Sequence, residues 1–202
     1  MPLAFAFAAI AGYADAVSYL RFHAFAGMMT GNTVLMGLAL IERAELPAWE
    51  YAGLLAIFFL ASAIAYLALR LRCPPLAVLL AEAAAILLTD AFAATWAVVP
   101  LVVAMGLQNP LASRLGVALN TTFITGDILR FAEGLVGRIW PQGQHRQPFA
   151  IYGLAWLGYA IGAALGAAGF ALLSRPLLVP AAVLAYIYWQ ARRNGGLSTS
   201  RR

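Results

Sequence analysis

The sequence predicts an all-α polytopic membrane protein, with about six spanning helices, two broken or re-entrant segments and two inverted repeats. One observation is composition: of the 202 residues, 63% are hydrophobic and 10% are charged, whereas soluble domains carry about 25% charged residues. A second is a series of apolar runs, several of them close to the roughly 20 residues that a spanning helix needs. A third is the similarity of the two halves of the chain, which predicts a duplication.

The apolar runs form eight segments with polar or proline-containing breaks between them. The breaks include 42–50, 70–75, 137–148 and 174–176, and the stretch 191–202 is basic and rich in Gly and Ser. We therefore expect a single membrane domain over 1–202 that ends in a basic cytoplasmic tail, without a soluble domain. The segments cover residues 3–20, 25–41, 50–70, 75–90, 94–113, 117–137, 149–172 and 176–190.

Two short motifs recur about 95 residues apart along the chain. "GYAD" at 12–15 aligns with "GLQN" at 106–109, and "MMTGN" at 28–32 aligns with "FITGD" at 123–127. The apolar segments that follow these motifs can be aligned as well, but apolar sequences match readily by chance. The motifs predict repeat one over 1–91 and repeat two over 92–190, and such repeats can be parallel or inverted.

The distribution of arginine favours the inverted arrangement. All thirteen basic residues are arginine, and if every apolar segment spans, five fall on one side and seven on the other. If the second and sixth segments instead enter and leave on the same side, the division becomes nine against three. Because cytoplasmic loops carry an excess of basic residues, the second division predicts six spanning helices and both termini in the cytoplasm.

Each half carries a polar triplet with a central glycine inside an apolar segment. Glycine in a helix costs about 1 kcal/mol relative to alanine, whereas Thr, Asn and Asp favour helix N-caps. We therefore predict a break and a new helix from Asn32 and from Asp127, whose free N–H groups attract anions or polar solutes. The alternative is a tolerated kink in each helix. The candidate binding residues are Thr30, Gly31, Asn32, Thr125, Gly126 and Asp127.

Further polar residues occur near the ends of the first and fifth segments. Asp15 and Asn109 take matching positions in the two motifs, and Gln108 precedes the second of them. A carboxylate inside a spanning helix costs at least ~2.5 kcal/mol, so it is expected to face protein or water. We expect these three residues to lie near Asn32 and Asp127 and to bind a substrate or ion, with the two aspartates relaying protons.

Local ion pairs are the alternative role for these acidic side chains. Glu133 lies three residues after Arg130 in a predicted helix, so a structural ion pair is expected there. Glu82 has no such partner nearby in the sequence and is a secondary candidate for the binding site. The pairs that this alternative predicts for the aspartates are Asp15 with Arg21 and Asp127 with Arg130.

A ridge of small residues runs along the seventh segment. Gly158, Gly162 and Gly166 are spaced four residues apart and share one helix face. Such ridges let two membrane helices approach closely. We expect this ridge to pack within the protomer or to form the interface of a homodimer.

Several functional classes are excluded by what the sequence lacks. It has no Gly-x-Ser-x-Gly, no HExxH and no phosphate-binding loop, so we predict that the protein is not an enzyme. Cys73 is the single cysteine, and His23 and His145 are far apart in the chain, so neither a metal site nor a cofactor is expected. The arginines are spread singly between apolar runs, which argues against nucleic acid as a partner.

The two motif regions resemble a known protein family. They read "GYADAVSYLRFHAFAGMMTGNTVLMG" at 12–37 and "AMGLQNPLASRLGVALNTTFITGDI" at 104–128. Both are similar to the YoaK-type family of bacterial membrane proteins, also known as domain of unknown function 1275. The shared elements are Gly-x-x-Asp-Ala, Met-Thr-Gly-Asn-Thr, Gly-x-Gln-Asn and the second Thr-Gly. The resemblance implies a multi-pass protein of the bacterial inner membrane with about six helices. It implies no activity, because the family is classed as a domain of unknown function.

The sequence as a whole favours a transport function. Buried polar residues and broken helices in a duplicated membrane protein are typical of secondary transporters, here for a small polar or anionic solute with possible coupling to protons. The alternatives are a passive channel and a membrane scaffold or partner subunit that transports nothing. The expected partners are the lipid bilayer, a small-molecule solute and a second copy of the chain.

Overall fold

The regular structure of the protein is helical. The computed structural model describes residues 2–91, 95–115, 124–139 and 149–193. Within these ranges there are eight α-helices, one 3-10 turn and no strand, which confirms the predicted all-α class. The helices are α1 (Pro2–Phe22), α2 (Met29–Ala39), α3 (Ala48–Arg70), α4 (Pro75–Ala91), α5 (Val98–Arg114), α6 (Ile124–Ile139), α7 (Ala150–Leu172) and α8 (Leu178–Arg193), and the turn is Thr95–Ala97.

The helices differ in length in a way that fits a membrane protein. The helices α1, α3 and α7 are long and apolar enough to cross a membrane. The helices α4, α5 and α8 have 17, 17 and 16 residues, which corresponds to about 25 Å each. Helix α2 has only 11 residues, so its length of about 16 Å is close to half of a bilayer's hydrocarbon thickness.

Parts of three predicted features lie outside the described residues. They are the start of the sixth apolar segment at 117–123, the hydrophilic loop from residue 140 to 148, and the basic tail from residue 194 onward.

The tightest helix pair in the bundle is α1 with α7. A Cβ atom added at Gly158 would lie 2.7 Å from the Phe5 carbonyl oxygen, and one at Gly162 would overlap the carbonyl of Ala9. In the opposite direction, a Cβ at Gly12 would overlap the carbonyl of Tyr159. The small-residue ridge of α7 therefore packs against α1 of the same chain, where only glycine leaves room for the neighbouring backbone.

Helix α5 packs against α3 in a related manner. A Cβ at Gly106 would lie 2.8 Å from the Cβ of Ala61 and 3.0 Å from the Phe58 carbonyl oxygen. The Ser62 hydroxyl donates a hydrogen bond of 3.0 Å to the Gly106 carbonyl. Gly12 and Gly106 occupy matching positions in the two motifs. Gly12 lies where α1 crosses α7, and Gly106 lies where α5 crosses α3.

The two ends of the bundle are held by different polar contacts. At one end, here called the Asp90 end, Arg21 pairs with Asp90 at 2.9 Å, and the Leu177 amide donates to the same carboxylate at 3.2 Å. At the other end, here called the Arg114 end, Arg114 donates to the Leu69 carbonyl at 3.1 Å. The first set joins the C-terminal ends of α1 and α4 to the turn before α8, and the second joins the ends of α3 and α5.

Candidate functional site

Asp15 is the centre of a hydrogen-bonded cluster between α1, α7 and the segment that precedes α2. Its Oδ1 accepts hydrogen bonds from the Gly27 amide at 2.6 Å and the Met28 amide at 3.2 Å. Its Oδ2 accepts a hydrogen bond of 2.7 Å from the Tyr159 hydroxyl. The side chain is buried, with 2% of its residue surface exposed. Both carboxylate oxygens are thus satisfied by protein donors, as a buried carboxylate requires.

Asn32 holds the same segment from the other side. Its Oδ1 accepts from the Phe25 amide at 2.9 Å, and its Nδ2 donates to the Phe25 carbonyl at 2.8 Å. The two bonds pair the amide side chain with one backbone unit, as a neighbouring strand would. Asp15 and Asn32 therefore both bind backbone groups of the segment 23–28.

The start of α2 differs from the prediction. The helix begins at Met29 rather than at Asn32, and Met28, which precedes it, makes no capping bond through its side chain. Because both polar ends of Asn32 are engaged with Phe25, its side chain is not available to cap the helix. The triplet therefore lies inside the first turn of α2. In the second half the helix likewise begins before the triplet, at Ile124 rather than Asp127.

The glycine of the first triplet has a packing role. A Cβ at Gly31 would come within 2.8 Å of the Phe25 ring and 3.1 Å of the Met28 sulfur. The Phe25 ring in turn stacks on Tyr19 with 4.8 Å between the ring centroids. Thr30, the first member of the triplet, is exposed. Gly31 is therefore needed to admit the Phe25 ring, whose backbone Asn32 fixes.

Two further side chains hold this segment and were missed at the sequence level. The Ser18 hydroxyl donates to the Ala24 carbonyl at 2.7 Å, and the Tyr51 hydroxyl donates to the His23 carbonyl at 3.0 Å. Ser18 lies three residues after Asp15, on the same face of α1, and that spacing is the signal that could have identified it. Tyr51 and Tyr159 carry no such signal, because both are brought to the segment by helix packing alone.

The polar residues of the second half are arranged differently. Gln108 is buried in α5 and its Nε2 donates to the Phe7 carbonyl of α1 at 3.0 Å. Asn109, which aligns with Asp15 in the recurring motif, is half-buried in the next position of α5. Thr125 is exposed and Gly126 half-buried, both in the first turn of α6. These residues belong to two different helices, α5 and α6.

Asp127 is a buried acid of this half with one unsatisfied carboxylate oxygen in the described part of the chain. It lies in the first turn of α6 with 4% of its surface exposed. In the described part of the chain, its buried Oδ2 accepts no hydrogen bond. Neither Asp15 nor Asn32 is hydrogen-bonded to it there. That Asp15, Asn32, Gln108, Asn109 and Asp127 form one binding site stays a prediction.

The ion pairs expected from local spacing are not formed. Arg21 pairs with Asp90, 69 positions away, instead of Asp15. Arg130 donates to the Tyr152 hydroxyl at 3.2 Å and lies 5.4 Å from the centre of that ring. The ion pair observed among the described residues is that of Arg21 with Asp90. Arg130 faces α7, where the Tyr152 hydroxyl accepts its hydrogen bond and the ring of the same residue attracts its charge.

Glu82 is a second buried acid without a partner. It lies in the middle of α4 and is 0% exposed. Neither of its carboxylate oxygens has a hydrogen-bond partner in the described ranges. Leu79 and Ile86, one helical turn before and after it, both belong to the main hydrophobic core. The described residues contain no group of three His, Cys, Asp or Glu side chains able to hold a metal ion.

Comparison with known proteins identifies a family. No curated protein and no solved structure matches the chain significantly. The model of the family DUF1275, described as a protein of unknown function, matches residues 3–189. The match covers both motif regions, which confirms the resemblance found in the sequence. The chain belongs to the DUF1275 family.

Proposed function

We propose that the protein is a membrane transporter, a secondary carrier of a small polar or anionic solute, with proton coupling through Asp127. The observation that carries the proposal is the buried Asp127 oxygen, which has no partner in the described residues. A buried polar atom without a partner costs about 1–3 kcal/mol. A polar group kept at that cost in the first turn of a helix is well suited to binding a proton or a solute.

The directions of the helices support the inverted repeats that such carriers use. Arg21 and Asp90 join the C-terminal ends of α1 and α4, so both helices run toward the Asp90 end, and α3 between them runs away from it. Leu177 lies at the same end, so α7 runs toward it and α8 away. Helix α5 ends beside Leu69 at the Arg114 end. In the first half, α1 and α4 thus run toward the Asp90 end and α3 runs away from it. In the second half, α5 and α8 run away from that end and α7 runs toward it, which is the opposite order and supports inverted repeats.

The same contacts support two re-entrant segments. The Tyr51 hydroxyl at the start of α3 reaches the His23 carbonyl just after α1, so the chain leaves and returns at the Asp90 end. At the Arg114 end, the chain leaves α5 and re-enters at α7, where Arg130 of α6 meets Tyr152. Short helices that begin and end on one side are a feature of transporter binding sites.

The topology also accounts for the arginines. In this arrangement Arg21, Arg43 and Arg175 belong to the Asp90 end, and the other arginines between segments belong to the Arg114 end with both termini. The positive-inside rule then assigns the Arg114 end to the cytoplasm, in a bacterial inner membrane. This is the nine-to-three division that the inverted model predicts.

A second candidate function is a membrane scaffold or partner subunit. The observation that favours it is in the first half of the chain, where both oxygens of the Asp15 carboxylate accept hydrogen bonds from protein donors. Asn32 is likewise engaged through both of its side-chain ends. A passive channel would use the same residues as a carrier. The two differ in their flux, because a carrier saturates at a much lower turnover than a channel.

The transport proposal can be tested in proteoliposomes that contain the pH-sensitive dye pyranine. A panel of amino acids, carboxylic acids and inorganic anions is added outside, and solute-driven proton entry is followed by fluorescence. We expect one chemical class to acidify the lumen with saturating kinetics. Asp127→Asn should abolish the signal, whereas Glu133→Gln, at an exposed position of the same helix, should retain it.

Two outcomes would count against this function. If no solute of the panel drives proton entry and none exchanges across the membrane when radiolabelled, the scaffold is the better account. If Asp127→Asn transports as well as the unmodified protein, the carboxylate of α6 is not part of the path.

A further inference from the structure

Glu82 differs from every other buried acid described here in having both oxygens enclosed and unbonded. Asp15 is satisfied by three donors, and Asp90 by an arginine and an amide. Glu82 is 0% exposed, and its two oxygens have no hydrogen-bond partner in the described part of the chain. An acid held in this way at the middle of α4 needs a ligand of its own.

In the described ranges, the cations on the helices packed against α4 have partners other than Glu82. Helix α4 packs against α5, α8 and the turn Thr95–Ala97. The charged residue of α5 is Arg114, which is at the end of the helix and bonded to Leu69. In α8 the charges are Arg192 and Arg193 in the last turn, where they lie over aromatic rings of the same helix. On α4 itself, Asp90 is already paired with Arg21.

Two further polar groups on α4 and α8 have partners other than Glu82. The Tyr186 hydroxyl accepts a hydrogen bond from Gln190, and Thr89 donates to the Ala85 carbonyl within α4. A metal cation would need several oxygen ligands, and the described residues hold no group of acids that could supply them. A proton is the one ligand that a single carboxylate can bind without help.

We propose that Glu82 is a reversible proton-binding site in the core of the bundle. The carboxylate takes up one proton to give the neutral acid while α4, α5 and α8 enclose it, since a bare charge there would be both desolvated and unpaired. It releases that proton to water when those helices separate. The proposal concerns α4 and does not depend on the transport function proposed for Asp127.

A hydrophobic carbodiimide tests this assignment directly. Dicyclohexylcarbodiimide enters apolar sites and reacts with neutral carboxylic acids: the acid adds across a C=N bond, and the O-acylisourea rearranges to a stable N-acylurea without loss of any atom. The full-length protein in lipid nanodiscs is treated at a series of pH values, and the modified peptide is identified by mass spectrometry. We expect an adduct at Glu82, whose yield decreases about tenfold per pH unit above its midpoint.

Two variants serve as controls for the labelling. Glu82→Gln should lose the adduct, and Glu133→Gln, at an exposed acid of α6, should keep it. Peptide mapping of the unmodified protein locates the adduct even if Glu82→Gln does not fold. Water-soluble carbodiimide with a glycine ester should leave Glu82 unmodified under the same conditions, because the site is closed to water.

The proposal is overturned if Glu82 stays unlabelled while other acids react, or if its labelling does not change between pH 5 and pH 9. Equal labelling by the water-soluble reagent would also overturn it, since Glu82 would then be open to solvent. Absence of solute flux from the untreated protein, together with the expected labelling of Glu82, would count only against the transport function.

Discussion

Three donors from two separate parts of the chain converge on Asp15, and this makes it a structural residue of the cluster. Two of the donors are backbone amides of the segment before α2, and the third is the hydroxyl of Tyr159 in α7. Hydrogen bonds to a charged group are worth about 1.5–3 kcal/mol each. The conformation of residues 23–28 therefore depends on this one side chain.

Replacement of Asp15 by Asn is expected to lower stability by about 2 kcal/mol or more, because an amide offers one acceptor oxygen where the carboxylate offers two. The amide group would also point a donor at a donor. Thermal unfolding in nanodiscs, followed by tryptophan fluorescence, measures the change as a lower melting temperature.

The matched control for this substitution is Asp127→Asn. The buried Oδ2 of Asp127 has no partner to lose in the described residues, so the melting temperature is expected to change by less than the equivalent of ~0.5 kcal/mol. A larger loss from Asp127→Asn than from Asp15→Asn would reverse the roles assigned to the two aspartates.

The sequence predicted that polar residues of the first half are shielded from lipid, but it did not predict what they contact. Asp15 and Asn32 were identified as buried polar residues from the cost of placing them in apolar segments. Their partners lie outside that argument: Tyr159 is 144 positions from Asp15, and Asp90 is 69 positions from Arg21. Local spacing suggested Arg21 as the ion-pair partner of Asp15, because a sequence pattern identifies only contacts between neighbours on the same helix.

At the level of elements, the crossing of α1 and α7 depends on glycine. Gly12, Gly158 and Gly162 leave room for backbone atoms of the opposite helix. The ridge on α7 was evident from its four-residue spacing, but the sequence left its partner open between the same chain and a second copy. Only the packing of the helices identifies α1 as the partner.

Gly162→Ala is expected to destabilise the protein by about 1–3 kcal/mol, because the added methyl group would overlap the Ala9 carbonyl and force the helices apart. The control is Gly53→Ala in α3, where a Cβ would meet nothing within 4 Å. That change is expected to be neutral or to stabilise by up to about 1 kcal/mol, since alanine is the better helix former.

Thermal unfolding of the two glycine variants side by side gives the comparison. A melting temperature for Gly162→Ala equal to that of Gly53→Ala would show that α1 and α7 are not in close backbone contact.

At the level of the whole molecule, helix direction is the property that distinguishes inverted from parallel repeats. Arg21 and Arg114 occupy matching places at the ends of α1 and α5, yet they contact opposite ends of the bundle. From the sequence alone, the arginine count predicts inverted repeats, because the charge of loops indicates the side of the membrane on which they lie. The length of α2 could not be obtained in the same way, since the start of this helix is packed around Phe25.

The inverted topology predicts that the ends of α1 and α5 are accessible from opposite sides of the membrane. Single cysteines at Leu20 and Ser113, both exposed positions beside the two arginines, are introduced after Cys73→Ala. A membrane-impermeant maleimide should label Ser113→Cys only from the cytoplasmic side and Leu20→Cys only from the other. Labelling of both from one side would contradict the inverted arrangement.

The pairing of α1 with α7 also has a consequence for the order of events during synthesis. The first helix leaves the ribosome and enters the bilayer long before the seventh exists, with its glycine face uncovered and Asp15 still lacking the Tyr159 hydroxyl. Its native neighbour arrives only after some 150 further residues have been made, and contacts so distant in sequence form late. An insertion intermediate truncated before α7 should therefore be a substrate for membrane proteases, whereas the completed chain should resist them.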